Sequence, residues 1–374
     1  MPLYHNSTMP TQTFNHEQTG ILSCPPEIHW MVLWCCPDLK TLLAASHSTR
    51  ALYYALKSYP FPIIESLVHQ AVGEAALPDC IRAMRAKTMA HGGPRSERME
   101  TMVQELFEND GVVRTDFWSI PRGLAAISLR EIFVQLAAEI GSEYATNWTS
   151  VYPMISHNPP VPPSEAELGR IVSALYRFET FCTIFARVLR LGQPDLDAAY
   201  KLFFSRFAPW EIEQIVSVFE SVGSLVIPAF NDVALHDIEF GFKHVYSADS
   251  AHCAHLQRVL GHGLRLAYQL WKAQTYNQRY SLLKDLCADG RCFWDYPLSD
   301  FNESIRDEIN SGITYPPLPD DDPECGAKHM WQWANQPRPN VRIAGLLKNQ
   351  NVRRIGYVFW SRSRVDSSHV TDTP

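Results

Sequence analysis

The chain has 374 residues, of which 46% are hydrophobic and 20% charged, enough apolar side chain to bury a core and too much for a disordered polymer. Length alone allows about two domains at roughly 150 residues each. A net charge of −7 excludes a chain-wide polyanion binder, because nucleic acid demands a basic surface.

The first 20 residues mix Asn, Thr, Gln and His without an apolar period, and read as a disordered lead-in that lacks a secretory signal core. Residues 21–62 form an apolar segment cut by Pro25-Pro26 and Pro37 into three short helical pieces, Pro25–Cys36, Asp38–Ser46 and Ser48–Ser58. Proline suits a first helical turn, where no backbone donor is needed, and Glu27 there favours the dipole. Leu39, Leu42 and Leu43 share one face at helical spacing. Three such helices make a bundle too small to be very stable alone.

Beyond Pro60 and Pro62 the helical patterns lengthen. Pro153–Pro163 reads as an extended linker. Ser164 followed by Glu167 has capping-box spacing and opens a stripe of Leu168, Ile171, Val172, Leu175, Phe178, Cys182, Phe185, Val188 and Leu189, stopped by Gly192 and Pro194. Pro209-Trp210-Glu211-Ile212 opens another helix with Ile215, Val216 and Phe219 on its buried side. Leu256, Val259, Leu260, Leu264, Ala267, Leu270 and Trp271 form a further single stripe. Tyr315–Pro323 reads as an acidic loop around Asp320–Asp322, and residues 366–374 as a frayed tail. Only Val226-Ile227 and Tyr357-Val358-Phe359 are short β-branched or aromatic runs, and both also suit a helical or irregular form. The reading is mostly α: a three-helix bundle over 21–62, then an irregular multi-helix domain over 63–365. No run approaches the roughly 18–20 apolar residues of a membrane span, and no repeat recurs at a fixed period.

Nine cysteines are an odd number without close framework spacing, which fits reduced thiols in a cytosolic or nuclear protein. No Gly-x-x-x-x-Gly-Lys-Ser/Thr run, Gly-x-Gly-x-x-Gly run or Gly-x-Ser-x-Gly elbow is present. His91-Gly92-Gly93-Pro94 reads as a surface turn. His252, Cys253, His255 and His262 lie close together but lack a paired Cys-x-x-Cys, and Cys287 and Cys292 are spaced too widely to supply one, so ordinary surface His and buried Cys explain them better than zinc. Trp331, Trp333 and Trp360 flank a basic stretch of Arg338, Arg342, Lys348, Arg353, Arg354, Arg362 and Arg364. Aromatics with arginine can stack on single-stranded nucleic acid, but a core element with a solvated basic face is the favoured reading. Glu211, Glu213 and Asp320–Asp322 stand in no recognisable acid/base arrangement.

The stretch from Cys24 to Leu52 resembles the F-box as found in filamentous fungi. Pro25, Glu27, Ile28, Leu33, Pro37-Asp38-Leu39, Leu42-Leu43 and Arg50-Ala51-Leu52-Tyr53 follow that pattern in order, while Cys24 stands where the family prefers Leu and no Trp closes the third helix. The ending Arg353-Arg354-Ile355-Gly356-Tyr357-Val358-Phe359-Trp360 also looks like the uncharacterised helical regions that follow such boxes. The resemblance implies a substrate-receptor subunit of an SCF-type, cullin-based ubiquitin ligase. Pro25, Ile28, Leu33, Leu39, Leu42 and Leu43 would face the adaptor subunit, and the later helical domain would hold an unknown protein target. It implies no catalytic residue, cofactor or metal in this chain, no nucleic-acid or membrane partner, and a cytoplasmic or nuclear location. Two other readings stay open: a helical scaffold or regulatory protein whose F-box-like segment is internal core, and a helical enzyme built on His252, His255, His262 and Glu239.

Overall fold

Local signals set the first helix boundaries. Pro25 precedes α1 (Pro26–Trp34), with Pro26 at its first position and Glu27 in its first turn. Asp38 caps α2 (Leu39–Ser48) by accepting the Thr41 N–H at 2.7 Å, a bond that also lowers its pKa. Thr49 ends α2 and caps α3 (Arg50–Ser58) by accepting from the Leu52 N–H.

The computed structural model describes residues 20–91, 99–108, 117–151, 161–189, 197–236, 254–284, 286, 326–335 and 353–367. These are mostly α, with no strand among the described residues. The further helices are α4 (Pro60–Val72), α5 (Leu77–His91), α6 (Met99–Glu108), α7 (Ile120–Val151), α8 (Glu165–Leu189), α9 (Asp197–Phe204), α10 (Pro209–His236), α11 (Ala254–Gly261), α12 (Leu264–Lys272), α13 (Tyr276–Leu283), α14 (Ala327–Asn335) and α15 (Arg362–Ser367). The chain divides into two units, the first of residues 1–70 and 115–124, the second of residues 71–114 and 125–374.

In the first unit α1, α2 and α3 pack on one another. The Trp30 indole N–H donates to the Ala55 carbonyl at 3.1 Å and its ring stacks on Tyr59. Leu33, Leu39, Leu42, Leu52, Leu56, Ile63, Ile64, Leu67 and Val68 are buried. This unit runs past residue 62 through most of α4 and takes in the start of α7. There Gly123 lets the chains approach: an added Cβ would lie 2.6 Å from Ile64 and 3.6 Å from Leu39.

The second unit is built around α8 and α10. Helix α5 and α10 pack on α8, and α11, α12 and α13 pack on α10. Ser164 and Glu167 make the reciprocal bonds of a capping box at the start of α8, as their spacing predicts. An aromatic layer of Phe178, Phe181, Phe185, Phe203 and Phe219 fills the interior. Helix α10 is long and apolar enough to cross a membrane, contrary to the expectation from apolar runs, yet 61% of that window is buried inside the protein, as for a core helix. The stripe from Leu256 to Trp271 is not one helix. It breaks at Gly263 (φ 95°), where the buried Glu179 carboxylate accepts the Leu264 N–H at 2.8 Å and restarts the chain as α12.

The C-terminal segment completes this core. Ile355, Tyr357, Val358, Phe359, Trp360 and Val365 are all buried, Phe359 stacks on Tyr144, and Gln214 donates to the Val358 carbonyl. Of the two short runs that suited strand, helix or irregular chain, Tyr357–Phe359 is a 3-10 turn and Val226-Ile227 lies within α10. Asp366 and Ser367, expected to fray, end α15.

Glu167 ties the segment down. Its carboxylate accepts from the Ser361 N–H at 2.8 Å and from Arg364 Nε and Nη2 at 2.9 and 2.7 Å. Burial alone would raise its pKa; Arg364 and the Ser361 and Ser164 amides outweigh that and hold it at about 2 against an ordinary 4.5. A depressed folded-state pKa stabilises above the unfolded value and is lost as pH falls through the folded one. Acidification from about pH 5 to 2 is therefore expected to remove roughly 3 kcal/mol through this group. In Glu167→Gln, denaturant midpoints compared over that range should show a correspondingly shallower loss.

Candidate protein-interaction surface

Helix α1 reads Pro-Glu-Ile-His-Trp-Met-Val-Leu-Trp and is apolar almost all round, so packing one side inward leaves apolar side chains outside. His29 and Leu33, four apart, point inward, and His29 Nε2 lies 2.7 Å from the Ile21 carbonyl. Ile28, Met31 and Trp34, at successive steps of three, remain 39%, 62% and 52% exposed. Ile21 and Pro25 are exposed beside the start of the helix. On α3, Tyr53 and Tyr54 are exposed and meet edge-on, with Arg50 and Lys57 exposed three residues to either side of this pair. The positions i, i+3, i+4 and i+7 make this one face of α3, cationic at both ends and aromatic between. Single exposed apolar residues are ordinary; several of this size within one small helical unit make this face the candidate contact surface.

The six residues expected to meet an adaptor fall into two groups. Pro25 and Ile28 are exposed, and Leu43 is half-buried. Leu33, Leu39 and Leu42 are at most 2% exposed and belong to the unit's own core. Met31, Trp34, Tyr53 and Tyr54 are exposed too and are not among those six. The signal was present in the three-residue steps of Ile28, Met31 and Trp34, set against the four-residue step of His29 and Leu33.

The other candidate chemistry is placed as follows. His252, Cys253, Glu239, Cys287, Cys292 and Asp320–Asp322 lie outside the described residues, as does the His255 side chain. His262 is half-buried in the turn between α11 and α12. Among the described residues no three His, Cys, Asp or Glu side chains converge as metal ligands would. Glu211 caps α10 by accepting from the Ala208 N–H and pairs with Arg177 at 2.8 Å. Arg177 also pairs with Asp79; burial works against its charge, but these two carboxylates raise its pKa overall. Glu213 pairs with Arg353. Of the basic C-terminal stretch, Arg353 and Arg364 are taken up by buried acids, Arg362 pairs with Asp366, and Trp331 and Trp360 are buried. The described part of that stretch is a core element with no stacking platform. Arg338, Arg342 and Lys348, and the Trp333 side chain, are not described.

No family model, no curated protein and no solved structure matches this chain.

Proposed function

We propose that this protein is a substrate-receptor subunit of an SCF-type ubiquitin ligase, with its first unit docking on the adaptor and its second holding a protein target. The observation that carries the reading is the exposed apolar face of α1, Ile28, Met31 and Trp34, within a segment that follows the F-box pattern from Pro25 to Tyr53. Three short helices cannot enclose so apolar a sequence, and a surface of this kind is stabilised by a partner. The adaptor contacts in this reading are Pro25, Ile28, Met31 and Trp34, while Leu33, Leu39 and Leu42 act indirectly by holding α1 and α2 in place. The chain supplies no catalytic group; transfer of ubiquitin belongs to other subunits. It works in the cytoplasm or nucleus.

A second reading rests on the burial of Leu39 and Leu42, with Leu39 and Ile64 both beside Gly123. The F-box-like segment is then core of a helical scaffold and captures nothing. One experiment separates the two. Full-length protein is passed over immobilised purified SCF adaptor beside the double variant Met31→Glu/Trp34→Glu, with thermal melting of both. The receptor reading expects specific capture by the native chain and loss of about 10-fold or more in the variant, at an unchanged melting temperature, as for truncated interface anchors. Absence of capture by the folded native chain would leave the scaffold.

A further inference from the structure

Helix α1 ends at Trp34, and the next two residues are both cysteines. Cys35 is exposed at the helix C-terminus, its N–H bonded to the Met31 carbonyl at 3.0 Å. Cys36 is 8% exposed, and its thiol faces back to the Val32 carbonyl at 3.7 Å. Pro37 follows and keeps Cys36 out of the helical region. One sulfur therefore stands in solvent and its neighbour lies just beneath the surface, in a turn that no helix fixes. The other described thiols are separate: Cys24 is half-buried at the start of α1, Cys80 and Cys182 are buried in the second unit.

We propose that Cys35 and Cys36 form a chelating dithiol for trivalent thiophilic centres, arsenite and monosubstituted organoarsenicals being the chemical class. Adjacent Cα atoms are about 3.8 Å apart across a trans peptide, short of the roughly 4.4–6.8 Å that an unstrained disulfide requires. Direct S–S closure is disfavoured by that geometry, and a single large soft atom inserted between the sulfurs removes the difficulty. The reaction is a ligand exchange with no change of oxidation state. The Cys35 sulfur forms the first As–S bond; one arsenic-bound hydroxide leaves, taking the thiol proton, as water. Cys36 then turns from Val32, forms the second As–S bond and releases a second water. Burial, then Asp38 and Cys35, raise the Cys36 thiol pKa, so it stays protonated and poorly reactive alone. It engages a centre that Cys35 already holds, at the high effective concentration of a neighbouring residue. This site is independent of the adaptor reading, although it closes the same helix that carries Met31 and Trp34.

The test uses the full reduced chain with phenylarsine oxide, read by intact mass and by mapping which cysteines iodoacetamide still alkylates. The expected result is one arsenical on the peptide holding Cys35 and Cys36, with the exposed Cys35 protected from alkylation and the arsenical released by excess ethanedithiol. Cys35→Ser, at an exposed position that leaves the fold intact, should weaken binding by about 100-fold or more, the loss expected when a chelate becomes monodentate. Cys36→Ala, checked by thermal melting, should do the same. Continued alkylation of Cys35 in the presence of the arsenical, or undiminished binding by Cys35→Ser or Cys36→Ala at that peptide, would overturn the proposal.

Discussion

Replacing Gly356 by alanine is expected to destabilise the second unit by about 2–5 kcal/mol, combining left-handed backbone strain with overpacking. Gly356 has φ 61°, and an added Cβ would lie 2.2 Å from Tyr144 Cδ2 and 2.5 Å from Cγ. Tyr144 cannot give way. Its ring stacks on Phe359, its hydroxyl donates to the Ser217 carbonyl at 3.0 Å, and Ser221 donates to that hydroxyl at 2.8 Å. Gly73→Ala is the internal comparison, because Gly73 has φ 81° but nothing within 4 Å of the new atom. That variant carries only the left-handed term, about 1–2 kcal/mol. Urea midpoints of the two variants should differ clearly. Equal midpoints would mean that the C-terminal segment does not lie on Tyr144.

The second large effect belongs to Arg353→Met. Arg353 bonds Glu213 through Nε at 2.7 Å and Glu220 through Nη1 at 2.6 Å, and both carboxylates are largely buried. Removing the cation leaves two acids close together and away from water, at a cost of about 3–5 kcal/mol. Arg362→Met, which breaks an exposed pair with Asp366 at 3.5 Å, should change stability by about 0–1 kcal/mol. The defect also has a pH signature. Burial already raises the Glu220 pKa against the pull of Arg353, and losing Arg353 drives it higher. A raised folded-state pKa favours the fold at low pH and penalises it as pH rises through that value. The gap between Arg353→Met and the native protein should therefore narrow on acidification from pH 7 towards 5 in denaturant titrations. A gap independent of pH would mean that the methionine acts through packing and not through stranded charge.

Much of the helical framework was legible because helix boundaries are written locally. Ser164 with Glu167, Asp38 before Leu39, and Pro209 with Glu211 each name a helix start within four residues, and each was found there. The break at Gly263 was missed because the apolar period of Leu256 to Trp271 runs through it. What breaks the helix is a carboxylate from Glu179, 85 residues away in the chain. The basic, aromatic C-terminal stretch had two readings for the same reason: Arg353 meets its partners across 133 and 140 residues, and no local pattern encodes that. The candidate surface was half legible. Ile28 and Pro25 are exposed, as a contact face requires, but α1 has no polar side from which to read its orientation. Packing of Leu33 and His29 turned Met31 and Trp34 outward.

The dependence of the second unit on residues 353–367 bears on how the protein is made. Helices α1 to α3 hold one another through partners close in sequence, such as Trp30 and Ala55, 25 residues apart. They can begin to associate early in synthesis. The helices α7, α8 and α10 emerge later, with Tyr144, Glu167, Gln214 and Glu213 still lacking the backbone and arginines that satisfy them. Until residue 365 leaves the ribosome, apolar surface meant for Phe359, Trp360 and Val365 stays open to water and to chaperones. Closure of the second unit is thus a late event, paced by translation and made slow by the sequence distance between its partners.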